Sequence, residues 1–180
     1  SDGGAGEAEA CIRAARTAFE DTAWAHQPRQ RAAALLDLAN KLEAARDDIA
    51  RLLTAENGKP LKDAEHEVML GVTELRFYAG LARTLFGRVL EVEPNQYSMI
   101  AREPMGVAAI IVPWNAPVIL LMRSLAPALA AGCTVVVKGA PQTAGTSARM
   151  IEAIAGSTLL PRGVLNYFTE SGHAGAQALV

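Results

Sequence analysis

The stretch VAAIIVPWNAPVILLMRSLAPALAAGCTVVVKG, residues 107–139, decides the fold. Residues 107–112 are a continuous apolar run rich in Val and Ile, the pattern of a short strand buried on both faces. Pro113 and Pro117 then bracket Trp114 and Asn115, and an apolar helix candidate runs from 117 to 131. Pro117 suits its first turn, Gly132 suits the left-handed position just past its end, and the interior Pro127 predicts a kink rather than a stop. Residues 133–137 are a second all-apolar strand, closed by Lys138.

Beyond this core, residues 142–155 read as a further helix and 164–168 as a third strand. Buried strands alternating with helices specify a βαβαβ unit with parallel strands and right-handed crossovers. Upstream, Ala10, Cys11, Ala14, Ala15, Ala18 and Phe19 mark a helical stripe over 7–19. Leu35, Leu38, Leu42, Ile49, Leu52 and Leu53 mark one long helix over 28–54, stopped by the Asn57-Gly58-Lys59-Pro60 cluster. A third helix is predicted over 63–86, ending at Gly87. Residues 88–92 and 97–102 are β-type runs around Glu93-Pro94-Asn95-Gln96, hence a β-hairpin. A lone two-stranded hairpin is marginal in water, so it should lie against another surface, such as a neighbouring subunit. The fold class is therefore α/β. Helices (1–86) and a hairpin (87–103) lead into the first half of a Rossmann-like parallel sheet (104–180).

The 180 residues carry a net charge of −2, with 51% hydrophobic and 5% aromatic residues. That balance excludes a disordered chain, and it gives no basic footprint or stacking platform for nucleic acid and no attraction to an anionic membrane. No apolar stretch reaches membrane-spanning length, and Cys11 and Cys133 are too few for a disulfide framework or zinc site. No metal site is expected, and the expected compartment is cytoplasmic. The chain starts at Ser1 without an initiator methionine, which predicts residues upstream.

Neither G-x-G-x-x-G nor G-x-x-x-x-G-K-[ST] occurs, so the glycine fingerprints of nucleotide sites are missing. Topology still marks a site, because ligands of open parallel sheets bind outside the carboxyl ends of the strands. Trp114-Asn115, Lys138 and Glu170-Ser171-Gly172 all fall there. On residue type alone, Asn115 reads equally as a helix cap or a hydrogen-bond donor to a ligand, and Lys138 as a solvated strand end or a ligand contact.

REPMGVAAIIVPWNAPVILLMRSLAPALAAGCTVVVKGAPQTAGTSARMIEAI (residues 102–154) closely resembles the aldehyde dehydrogenase superfamily, with its P-W-N segment and G-x-T-V-V-x-K strand. AENGKP (55–60) and PRGVLNYFTESG (161–172) fit the same family in the same order. The resemblance implies NAD(P)+-dependent oxidation of an aldehyde to a carboxylic acid, or in some branches to an acyl thioester, through attack by a cysteine thiolate. It implies that Asn115 donates to the oxyanion of the thiohemiacetal. It also implies that Ile111, Val112, Pro113 and Trp114 wall the cofactor, that Lys138 reaches the adenosine ribose, and that Gly172 lies in the loop against its adenine side. Met122 and its neighbours would line the substrate tunnel. The hairpin matches the family's oligomerisation strands, implying a homodimer or homotetramer.

Many members carry a glutamate three residues after the lysine to grip the ribose hydroxyls; here Pro141 stands there, which predicts tolerance of NADP+ beside NAD+. Cys133 begins the second strand, at the wrong end of the sheet, and Cys11 sits on a helical face, so neither reads as the nucleophile. The chain stops at Val180 inside the helix after the third strand, with the nucleophile, the base and half the sheet expected elsewhere. By itself it should be inactive and not a stable monomer. An acylating or semialdehyde dehydrogenase relative and a non-catalytic nucleotide-binding or scaffold remnant remain the alternatives.

Overall fold

The computed structural model describes residues 2–180. Its second half is the expected βαβαβ unit. Strand β3 (Val107–Ile111) leads into α5 (Pro117–Ala131), β4 (Thr134–Gly139), α6 (Ala144–Ala155), β5 (Leu165–Thr169) and the short α7 (Ala174–Ala178). The three strands are parallel in the order β3-β4-β5, and the register aligns Ile111 with Lys138 and Lys138 with Phe168 at the carboxyl edge. Only β4, in the centre, is buried apart from Lys138. The edge strand β3 exposes Ala109 and Ile111, so the two-faced burial expected of it is not met within this chain. One face of the sheet takes Ala8 and Ala15 of α1 (Ala5–Asp21) against Val136 and Phe168. The other face shares the main core with the helices between residues 28 and 81 and with α5 and α6.

Helix α5 begins and ends where its flanking residues predict. Pro117 opens it, and Gly132 closes it in the left-handed region at φ 97°, a conformation that costs an L side chain energy. Pro127 is accommodated without ending it. The helical half departs from expectation in two places. The long helix over 28–54 is two helices, α2 (Pro28–Ala44) and α3 (Arg46–Asn57), broken at Ala45 by a non-helical ψ of 5° with no glycine or proline to announce it. Helix α4 (Leu61–Leu81) stops short of residue 86. A buried guanidinium supplements the core: Arg31 donates to the carbonyls of Trp24, Ala25 and Ala130, joining the turn before α2 to the last turn of α5.

Helix α4 packs directly on α5 through Gly71. A β-carbon there would lie 3.1 Å from Met122 Cγ, 3.3 Å from Val118 Cγ1 and 3.4 Å from Leu42 Cδ2. The missing side chain therefore sets the α4–α5 separation. Gly71→Val should overpack this contact and cost about 1–3 kcal/mol, measured as a lower urea midpoint at unchanged slope.

Strands β1 (Arg88–Glu93) and β2 (Gln96–Ile100) form the predicted antiparallel hairpin, turning through Asn95 at φ 65°. Both strands are exposed throughout, including Val89, Leu90, Val92, Tyr97, Met99 and Ile100. Among the described residues nothing covers them. No helix among the described residues is long and apolar enough to cross a membrane.

Candidate functional site

The carboxyl edge of the sheet gathers the loops after all three strands. Ile111 and Trp114 are half exposed, at 51% and 50%, so Ile111 is not a sheet-core residue. Val112 is the core residue of the segment: its side chain is buried, and its N–H donates to the Lys138 carbonyl at 3.0 Å. Any contact it makes with a ligand would come from the backbone. Pro113 is exposed beside it. Met122 is fully buried against α4 and lines no open wall here, because the turn of α5 carrying it faces Gly71 rather than the edge.

Asn115 is exposed, and among the described residues no hydrogen bond engages its side-chain amide. The helix-cap reading of Asn115 fails on geometry. The N-cap of α5 is Ala116, with no side-chain cap of its own. The amide end of α5 is instead taken by Glu67 of α4, whose Oε1 accepts from Val118 N–H at 2.9 Å and Ile119 N–H at 3.3 Å. Pro117 has no N–H to satisfy. The other oxygen of Glu67 pairs with Lys59, which also donates to the Asn115 carbonyl at 3.1 Å. Asn57 donates to the Trp114 carbonyl at 3.4 Å. The segment 55–60 thus braces the backbone of the Trp114-Asn115 loop while leaving the amide of Asn115 outward.

The same arrangement recurs along the edge. Glu56 accepts from Gly145 and Thr146 N–H, each at 2.8 Å, at the start of α6. Glu170, buried after β5, accepts from Gly175 and Ala176 N–H, each at 2.8 Å. Burial opposes the charge on Glu170, but those two amides, and then Lys138 and His173, outweigh it and hold its carboxyl below the usual range. Protein carboxylates therefore fill helix N-termini that in glycine-fingerprint folds receive phosphate. This matches the missing fingerprint.

Lys138 is partly buried at the end of β4 and has no ion-pair partner among the described residues. Pro141 is exposed and opens a single 3-10 turn. Gly172 has open space around it and no left-handed φ, so neither packing nor turn geometry within this chain requires glycine there. Its loop is tied down by Asp2, which accepts from the backbone and hydroxyl of Ser171. The edge thus offers an apolar slab, a cation and an unengaged amide, a set that fits a nicotinamide dinucleotide beside a polarised carbonyl.

The two cysteines lie away from this edge. Cys133 is buried at the start of β4, with its carbonyl accepting from Trp24 Nε1 at 3.0 Å. Cys11 is on α1, where burial and then Glu7 push its thiol pKa up and keep it protonated. Glu67, Lys59, Glu56 and Asn57 were not marked as site residues in the sequence. Glu67 did carry a signal, since it shares the buried face of α4 with Ala64, Val68, Gly71 and Val72. A carboxylate on such a stripe needs a partner.

A family model described as aldehyde dehydrogenase family matches residues 1–180. The chain is 36% identical over 170 residues to aminoacetaldehyde dehydrogenase of Pseudomonas aeruginosa, covering 93% of this chain and 34% of that protein. It is 38% identical over 170 residues to the NADP/NAD-dependent aldehyde dehydrogenase PuuC of Escherichia coli, with coverage of 93% and 34%. The structure of betaine aldehyde dehydrogenase from Staphylococcus aureus in complex with NAD+ is similar at a TM-score of 0.92 and 32% identity, covering 99% of this chain and 36% of that one. The chain spans about a third of the length of the relatives it matches. With this match over the whole length and these relatives, the chain belongs to the aldehyde dehydrogenase family.

Proposed function

We propose that residues 1–180 form the front part of the cofactor-binding domain of an NAD(P)+-dependent aldehyde dehydrogenase, with Asn115 as its oxyanion donor. The carrying observation is the Asn115 amide, unengaged at the carboxyl edge because Glu67 caps α5 in its stead. An exposed side-chain N–H2 held on a braced backbone is a preorganised donor for a developing oxyanion. The attacking thiolate comes from outside these residues, since Cys133 is buried at the far end of the sheet and Cys11 is held protonated on α1. By itself the 180-residue chain does not turn over aldehyde.

Ile111, Trp114 and the backbone of Val112 and Pro113 would hold the dinucleotide's apolar side, Lys138 its ribose hydroxyls, and the Gly172 loop its adenine side. Bound NAD(P)+ supplies the hydride acceptor. With carboxylates already on the α5 and α6 amide ends, its phosphates take their contacts elsewhere. The exposed apolar residues of the hairpin support a subunit contact in a homo-oligomer, dimer or tetramer.

The test is aldehyde-dependent formation of reduced nicotinamide by the full-length protein carrying this segment. Lys138→Met should raise the KM for the dinucleotide about tenfold and leave kcat near the parent value. An unchanged KM removes Lys138 from the site. Because Pro141 neither grips a ribose diol nor repels a 2′-phosphate, kcat/KM for NAD+ and NADP+ should differ by less than about a hundredfold. A larger preference for NAD+ would overturn that reading.

A further inference from the structure

We infer that Lys59 and Glu67 are positioning residues for Asn115, a two-sided clamp that sets where its amide points; the inference rests on the oxyanion assignment above. Before Asn115, Asn57 holds the Trp114 carbonyl; at Asn115 itself, Lys59 holds the carbonyl; beyond it, Glu67 holds the first two amides of α5. Lys59 and Glu67 are bonded to each other, so the loop and the helix that follows are fixed by one ion pair. None of these contacts touches the Asn115 side chain. They fix its backbone on both sides and leave the N–H2 for an external acceptor.

Burial gives the clamp stiffness. The Glu67 side chain is 5% exposed and that of Lys59 21%, so water does not readily substitute for either. Gly71, one turn beyond Glu67 on α4, lets the helices approach closely enough for the carboxylate to reach α5. Glu67 also removes the competing use of Asn115, since satisfied amides at the start of α5 have no call on a nearby side-chain oxygen. A donor preorganised in this way loses effectiveness when its backbone is released, even though the donor itself remains.

The experiment is steady-state kinetics on the full-length enzyme with Lys59→Met, Glu67→Gln, Asn115→Ala and the Lys59→Met/Asn115→Ala double variant. Glu67→Gln keeps an oxygen for Val118 and Ile119 while losing the ion pair, and so serves as the second probe if Lys59→Met folds poorly. Each single clamp variant should lower kcat about ten- to a hundredfold with the dinucleotide KM within twofold of the parent. The double variant should be no slower than Asn115→Ala alone, because the clamp acts through that amide. A purely structural role predicts multiplied losses in the double variant, and that result would overturn the inference. So would a clamp variant with parent-like kcat beside a slow Asn115→Ala. If Asn115→Ala itself keeps full kcat, the oxyanion assignment falls and takes the clamp with it.

Discussion

Asn115→Ala in the full-length enzyme should lower kcat by about a hundred- to a thousandfold, the largest catalytic effect expected of any residue in this chain. The substitution removes a donor and little else. The side chain is exposed, caps no helix and bonds no neighbour among the described residues, so its loss leaves the α5 terminus on Glu67 and the fold intact. Melting temperature should stay close to the parent, and the KM for the dinucleotide should hold, since no cofactor contact is assigned to the amide. Asn115→Asp should be at least as damaging, because it replaces a donor with an anion facing the developing oxyanion. Stopped-flow single turnovers locate the loss. Loss of an oxyanion donor slows thiolate addition, whereas loss of a residue that merely shapes the loop would alter dinucleotide affinity. A kcat within tenfold of the parent would remove Asn115 from the catalytic machinery.

What was legible in the sequence follows from the range of the interactions involved. The βαβαβ core could be read because its signals are local: a buried Val run in β4, Pro117 and Gly132 at the two ends of α5, and Lys138 where the strand meets solvent. The hairpin followed from Pro94 and Asn95 between two β-type runs. The break at Ala45 carries no glycine or proline; its one local mark is the Asp47-Asp48 pair in the first turn of α3, a start signal that is easily passed over inside a continuous apolar stripe. Helix α4 ends at Leu81, one residue past Gly80 and well short of the stop expected at Gly87. At the site, the ambiguity of Asn115 between cap and donor could not be resolved locally. The residue that resolves it, Glu67, lies 51 positions before Val118. Met122 was misassigned for a related reason, as periodicity gives a face to an apolar helix only when one side is polar, and α5 is apolar nearly all round.

Glu67→Ala should be the most destabilising single change at the site, costing about 3–5 kcal/mol in urea titration. The Lys59 ammonium loses its counter-charge and keeps only the Asn115 carbonyl, and the N–H groups of Val118 and Ile119 lose their acceptor, in a place where water has poor access. The two parts separate with further variants. Glu67→Gln keeps the cap, so its smaller loss measures the charge pairing. Glu67→Leu/Lys59→Met replaces both charges by apolar groups and should recover part of the deficit, while the two amides of α5 stay unpaired and hold the remainder at about 1–3 kcal/mol. Equal losses for Glu67→Ala and Glu67→Gln would assign the whole effect to the ion pair. Full recovery in the double variant would mean that α5 starts as well on water as on a carboxylate, and Asn115 would then owe its freedom to something other than Glu67.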